Sequence, residues 1–192
     1  MIDWIINNYI ELFGAITGLA FLYFEIKEKI WLWPLGILTS LFYIYIFFVA
    51  KFYADMGLQF YYLFIGIYGW YTWSKGTEDK PELPVVRINQ KQIGLLALIG
   101  FALFFVLSFV LSNYTDSPLP YWDAFTTSLS IIATWMLTRK ILEQWLVWIV
   151  VNFISLGLYI YKDLYATSVL FLAYGVLSFV GYYKWKKNVK VK

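Results

Sequence analysis

The sequence predicts an all-α integral membrane protein: seven transmembrane helices in a 3+1+3 arrangement, the two triplets being parallel repeats. Three observations predict it. The 192-residue chain is 61% hydrophobic and only 14% charged, whereas about a quarter of a soluble domain is charged. Its charges cluster between long uncharged runs, as bilayer-crossing helices require. The chain also resembles itself at an offset of 112 residues. Charge this sparse cannot coat a water-facing surface, so a soluble fold is excluded.

A charge at mid-bilayer is expensive, so uncharged runs mark the spans. The first span, 4–26, is interrupted only by Glu11 and closed by Glu25. It lacks the basic start of a signal peptide and reads as a retained helix. Spans two to seven follow at 30–50, 56–74, 92–115, 124–138, 144–161 and 164–183, none holding an Asp, Glu, Lys or Arg. Each is about long enough for a ~30 Å core at ~1.5 Å per residue. The fifth is short, and Trp122 or Asp123 starts it at the interface. Residues 1–74 form the first triplet. Residues 75–121 supply an inner loop with Pro81 and Pro84, the linking fourth helix and an outer loop. Residues 122–192 form the second triplet and a basic tail.

Lys and Arg favour the cytoplasmic loops. With the N-terminus outside, Lys27, Lys29, Lys75, Lys80, Arg87, Lys91, Arg139, Lys140, Lys184, Lys186, Lys187, Lys190 and Lys192 all fall inside. Only Lys51 and Lys162 fall outside, which predicts an N-out, C-in chain. The net charge of +3 therefore reports topology, not a nucleic-acid surface.

The offset of 112 aligns spans two and three with six and seven. Trp33 meets Trp145, Ile37 meets Ile149, Tyr53 meets Tyr165, Ala54 meets Ala166 and Leu58 meets Leu170. Tyr62 meets Tyr174, Gly69 meets Gly181, Tyr71 meets Tyr183 and Trp73 meets Trp185. So biased a composition would produce roughly three such matches by chance. Parallel repeats relate by an axis along the membrane normal and place a site between the halves near the midplane. SWEET sugar transporters are similar in arrangement, an analogy that points to transport without fixing function.

The chain has no Cys and no His. Disulfides, thiol nucleophiles, Cys/His metal sites and His-based acid–base pairs are therefore excluded, and no cofactor is implied. Span seven holds no Lys for a retinal Schiff base. No paired acids sit within the spans to make an intramembrane enzyme. A non-transport structural membrane subunit is the remaining alternative.

Helical spacing puts Trp145, Trp148, Asn152, Ser155 and Tyr159 on one face of span six. The counterpart in span two is Trp33, Gly36, Ser40, Tyr43 and Phe47. Span three offers Gln59, Tyr62, Gly66, Gly69 and Trp73; span seven offers Phe171, Tyr174, Ser178, Gly181 and Trp185. These faces mix aromatic, small and polar side chains, as a substrate path needs. Asn152, the only Asn deep within a span, reads as a ligand contact or as interhelical glue. Gln59 lies near the outer face of span three. Trp33, Trp73, Trp145 and Trp185 also read as interfacial belts, whereas Trp148 lies deeper and suits stacking. Thr126, Thr127, Ser128, Ser130 and Thr134 read as bonding their own backbone. Glu11 is either a proton or cation site or a structural acid near the outer interface.

Two segments resemble the PnuC family of bacterial vitamin transporters: WLWPLGILTSLFYIYIFFVAKFYADMGLQFYYLFIGIYGWYTW (31–73) and WLVWIVVNFISLGLYIYKDLYAT (145–167). The specific pieces are Tyr-Ala-Asp-x-x-Leu-Gln at 53–59 and the W-x-x-W-x-x-x-N of Trp145, Trp148 and Asn152. The resemblance implies a 3+1+3 homotrimer in the bacterial inner membrane. It implies uptake of an unphosphorylated vitamin, nicotinamide riboside first, with thiamine and riboflavin in relatives, and trapping by a cytoplasmic kinase.

Nicotinamide riboside and thiamine are flat aromatic cations, suited to an aromatic, uncharged path by stacking and cation–π attraction of ~2 kcal/mol. Asn, Gln, Ser and Tyr serve ribose hydroxyls, a carboxamide or an aminopyrimidine equally. With no Lys or Arg in the spans, a phosphate would find no fixed partner. No phosphate-binding loop signals an ATPase. Facilitated diffusion is the simplest mechanism. The expected substrate contacts are Trp148, Asn152, Gln59, Tyr62, Ser40, Tyr43, Trp145, Ser155, Tyr159 and Tyr174.

Overall fold

In the computed structural model, residues 9–50, 53–76 and 83–189 are described. Lys51, Lys80, Lys190 and Lys192 lie outside them, as do the side chains of Glu11, Phe47 and Tyr53 to Asp55. The described residues form seven helices: α1 (Tyr9–Ile26), α2 (Leu32–Ala50), α3 (Tyr53–Lys75), α4 (Gln90–Tyr114), α5 (Pro120–Thr138), α6 (Gln144–Tyr161) and α7 (Tyr165–Asn188). No strand is present among them, and Val86 and Ile141 make an isolated parallel bridge. By length and composition, α4 and α6 are apolar enough to cross a membrane. The polar atoms of Tyr and Trp lower the apolarity of the aromatic-rich helices, such as α3 with its Tyr, Trp, Ser and Lys.

The self-similarity carries into the backbone. Helix α1 ends at Ile26 and α5 at Thr138; α2 starts at Leu32 and α6 at Gln144; α3 starts at Tyr53 and α7 at Tyr165. Every one of these boundaries is offset by 112. The turns match too. Glu28 (φ 55) and Lys140 (φ 48) both sit in the left-handed region that closes a helix. One residue on, Lys29 N–H bonds Phe24 O at 2.8 Å and Ile141 N–H bonds Met136 O at 3.1 Å, the same five-residue reach.

The chain divides into two units, Met1–Leu83 and Pro84–Lys192. In the first, α2 lies along α3 and α1 packs on α2. Trp33 meets Trp73 edge-on, with ring centroids 5.5 Å apart at 87°. A Cβ on Gly69 would collide with the Trp33 ring, so only glycine allows this approach. Phe13 on α1 touches Phe42 at 4.1 Å, and the Tyr43 hydroxyl donates to Ile10 O at 3.4 Å.

In the second unit α4 packs on α5, α5 on α6, and α6 along α7. Trp145 meets Trp185 at 5.5 Å and 88°, and Gly181 lies beneath the Trp145 ring as Gly69 does beneath Trp33. The interfacial-belt reading of these four tryptophans is thereby corrected. Trp33 and Trp145 are 1% and 0% exposed; a belt residue must reach the lipid headgroups. The chain before α4 is stapled to the α5–α6 turn. Val86 N–H bonds Lys140 O at 3.1 Å, Leu142 N–H bonds Val86 O at 2.9 Å, and Ile88 N–H donates to Glu143 Oε2 at 2.9 Å. Asn89 then starts α4 with a reciprocal cap: Gln92 N–H donates to Asn89 Oδ1, and Asn89 N–H to Gln92 Oε1.

Candidate functional site

Five of the ten expected contact residues, Trp145, Trp148, Asn152, Ser155 and Tyr159, lie on α6, and Tyr174 lies on α7 in the same unit. Ser40, Tyr43, Gln59 and Tyr62 belong to the other unit.

Asn152 is 5% exposed. Its Nδ2 donates to Ser178 Oγ on α7 at 3.2 Å, and Ser178 passes its own proton to Tyr174 O at 2.8 Å. The hydroxyl proton is thus committed, which makes Ser178 the acceptor and sets the orientation of the Asn152 amide. The amide oxygen accepts no hydrogen bond among the described residues. Both readings of Asn152 are therefore compatible: it ties α6 to α7 through its nitrogen and presents an acceptor through its oxygen.

Trp148 lies one turn earlier on the same face. Its indole N–H is buried and finds no acceptor among the described residues. An unpaired buried donor costs about 1–3 kcal/mol, so an acceptor brought by a ligand would recover that cost. Trp148 thus offers a donor as well as a ring. Trp145 is enclosed by Trp185 and Gly181, and Ser155 is buried one turn beyond Asn152. Further along, Tyr159 leans on Phe171 at 4.8 Å and 36°, and Phe171 meets Tyr174 edge-on at 5.6 Å. Tyr159, Phe171 and Tyr174 therefore form a short ladder of three rings between α6 and α7.

In the first unit Ser40 is buried on α2, and the Tyr43 hydroxyl is engaged with α1. Gln59 and Tyr62 are half-buried on α3, and Tyr62 lies against Tyr61 at 5.5 Å. Four of the five α5 hydroxyls singled out in the sequence behave as read there, Thr127 being the exception among the described residues. Thr126 bonds Trp122 O, Ser128 bonds Phe125 O, Ser130 bonds Thr126 O and Thr134 bonds Ser130 O, all within the helix.

Sequence reasoning missed Ser178 as the partner of Asn152, although helical spacing had put it on the right face. It also missed two features. Glu25, in the last turn of α1, is a buried acid. Asp123, read only as a start for span five, and Lys162, read only as an outer basic residue, form an ion pair at 3.3 Å.

The family described as nicotinamide mononucleotide transporter matches residues 8–187. The nicotinamide riboside transporter PnuC of Escherichia coli (strain K12) is 30% identical over 198 residues, covering 90% of this chain and 82% of that protein. The riboflavin/roseoflavin transporter RibM of Streptomyces davaonensis is 24% identical, covering 91% of this chain and 83% of its own length. A crystal structure of the vitamin B3 transporter PnuC superposes with a TM-score of 0.75 at 24% identity, covering 94% of this chain and 81% of that one. These relatives are transporters, not enzymes.

Proposed function

Since this chain belongs to the PnuC family, we propose that it is a membrane transporter for an unphosphorylated vitamin, nicotinamide riboside first. In this reading the seven helices cross the bacterial inner membrane in a 3+1+3 arrangement, N-terminus outside and C-terminus inside. The chain assembles as a homotrimer and passes its vitamin by facilitated diffusion to a cytoplasmic kinase that traps it.

The observation that carries the reading is the pairing of Trp148 with Asn152. An unsatisfied indole N–H and an available amide oxygen sit one turn apart in an aromatic, uncharged setting. A carboxamide and ribose hydroxyls offer the matching acceptors and donors. Ser155, Tyr159 and Tyr174 continue the path, and Trp145 braces it from behind. Ser40, Tyr43, Gln59 and Tyr62 are the contribution of the first triplet.

The family description speaks of the mononucleotide, yet the charge distribution supports the riboside. The uncharged runs contain no Lys or Arg, and Lys162, at the end of α6, is already paired with Asp123. A phosphate dianion would be buried without a partner.

The test is a titration of purified protein with nicotinamide riboside, thiamine, riboflavin and their phosphates. Saturable riboside binding with weak or absent phosphate binding is expected. A thiamine or riboflavin preference would move the reading within the family, and no response to any of them would end it. Reconstituted protein should equilibrate its vitamin without accumulating it. Uptake against a gradient, driven by protons or sodium with no kinase present, would overturn facilitated diffusion and direct attention to the buried Glu25 and to Glu11.

A further inference from the structure

At the end of the second unit where α5 begins and α6 stops, three side chains converge. Lys162 Nζ lies 3.3 Å from Asp123 Oδ1 and 3.4 Å from Oδ2. Ser117 Oγ donates to Asp123 Oδ2 at 2.5 Å and accepts the Leu119 N–H at 3.3 Å, which fixes the carboxylate to the loop ahead of α5. The acid and the base are 28% and 26% exposed, so water and a solute both reach them. Asp163, next in sequence to Lys162, is occupied elsewhere by the Tyr165 hydroxyl.

Each charge suits its own helix end. Asp123 is in the first turn of α5, where the helix dipole favours an anion, and Lys162 caps the C-terminus of α6, where it favours a cation. Each charge keeps its favourable helix end when the two side chains part. Tyr159, one turn before Lys162, leans on Phe171, which leads to Tyr174. Ten residues of helix separate Lys162 from Asn152, roughly 15 Å of rise. The carboxylate therefore stands at the head of the aromatic ladder, well away from the proposed binding level.

We propose that Asp123 is a mouth subsite for flat aromatic cations, with Lys162 as the counter-ion that an arriving ligand displaces. Exchanging one cation for another leaves the local charge unchanged, so the swap avoids the cost of an unpaired carboxylate. A neutral molecule gains nothing by moving Lys162. The offset of 112 places Glu11 in the position that corresponds to Asp123, so the first triplet carries an acid at the same register.

The inference rests on the transport reading, and its test separates the two. Full-length protein in liposomes is given nicotinamide riboside, a cation, and its reduced dihydropyridine form, which has the same sugar and no charge. Asp123→Asn should slow initial uptake of the cation by about tenfold and leave the reduced form within about twofold. Lys162→Met keeps the carboxylate and should leave cation uptake at or above the wild-type rate. Equal slowing of both ribosides by Asp123→Asn, or a loss of cation uptake in Lys162→Met, makes the pair a structural tie and overturns the proposal alone. Wild-type protein that moves neither riboside overturns the transport reading together with it. Should Asp123→Asn fail to assemble, Lys162→Met decides by itself.

Discussion

The pair α2–α3 and the pair α6–α7 are built on one joint and carry different chemistry. Both hold an edge-on tryptophan pair with centroids 5.5 Å apart, and both seat the first ring on a glycine. Yet Trp148 and Asn152 of α6 correspond to Gly36 and Ser40 of α2, and Ser178 of α7 corresponds to Gly66 of α3. The joint is duplicated; the Trp–Asn–Ser set of Trp148, Asn152 and Ser178 occurs in the second half alone. What the two halves share is therefore read as scaffold, and what they do not share as the place where a ligand is distinguished.

That division breaks most visibly if the two sides respond alike to truncation. Trp148→Ala removes ring area and a buried donor together and should weaken vitamin binding about a hundred-fold, or ~2.7 kcal/mol. Asn152→Ala loses the acceptor and leaves Ser178 without its donor, and should cost several-fold to roughly a hundred-fold. Ser40→Ala, the matching change in α2, should stay within about threefold. Titration calorimetry on the purified variants measures all three. Comparable losses at Ser40 and Asn152 would make the site symmetric.

The shared joint makes the opposite demand, equality. A Cβ at Gly69 or Gly181 would overlap the facing Trp ring, and overpacking of this kind costs about 1–3 kcal/mol. Gly69→Ala and Gly181→Ala should therefore lower the Tm by similar amounts. Gly57→Ala, with open space around it, should not lower it. A fall at only one of the two positions would show that the halves bear load differently.

A smaller effect sharpens the chemistry of the proposed site. Because its polar groups are uncharged, the vitamin should bind at least about tenfold tighter than its monophosphate, a difference of ~1.4 kcal/mol. Equal affinities in parallel titrations would require a cation that the pairing of Lys162 with Asp123 does not supply.

The fold was readable because each cue is local. Uncharged runs mark helices wherever a bilayer excludes charge, and the Trp–Gly spacing recurs within single helices. What escaped depends on contacts between distant segments. Glu143 reads as one more loop acid until it accepts the Ile88 N–H across 55 residues. Lys162 reads as a topology marker until it meets Asp123 across 39. Asn152 was found because an amide deep in an apolar run is costly anywhere, but its use of Ser178 depends on the register of α6 against α7. That register is set by the Trp145–Gly181 contact, not by either helix alone.

The least disruptive substitution tests where the path stops. Ser130 is buried on α5, and its hydroxyl donates to Thr126 O at 2.8 Å within the same helix. That carbonyl is also the regular helical acceptor for the Ser130 N–H, so deleting the hydroxyl orphans nothing. The lost oxygen leaves a void smaller than a methyl group, and alanine is the better helix former. The position offset by 112 is Gly18, so α1 already runs without a hydroxyl there. Ser130→Ala should therefore change stability by no more than about 0.5 kcal/mol and leave vitamin affinity within about twofold. A tenfold loss of binding at unchanged Tm would place the hydroxyl face of α5 on the path, and the recognition proposed for α6 and α7 would extend to α5 as well.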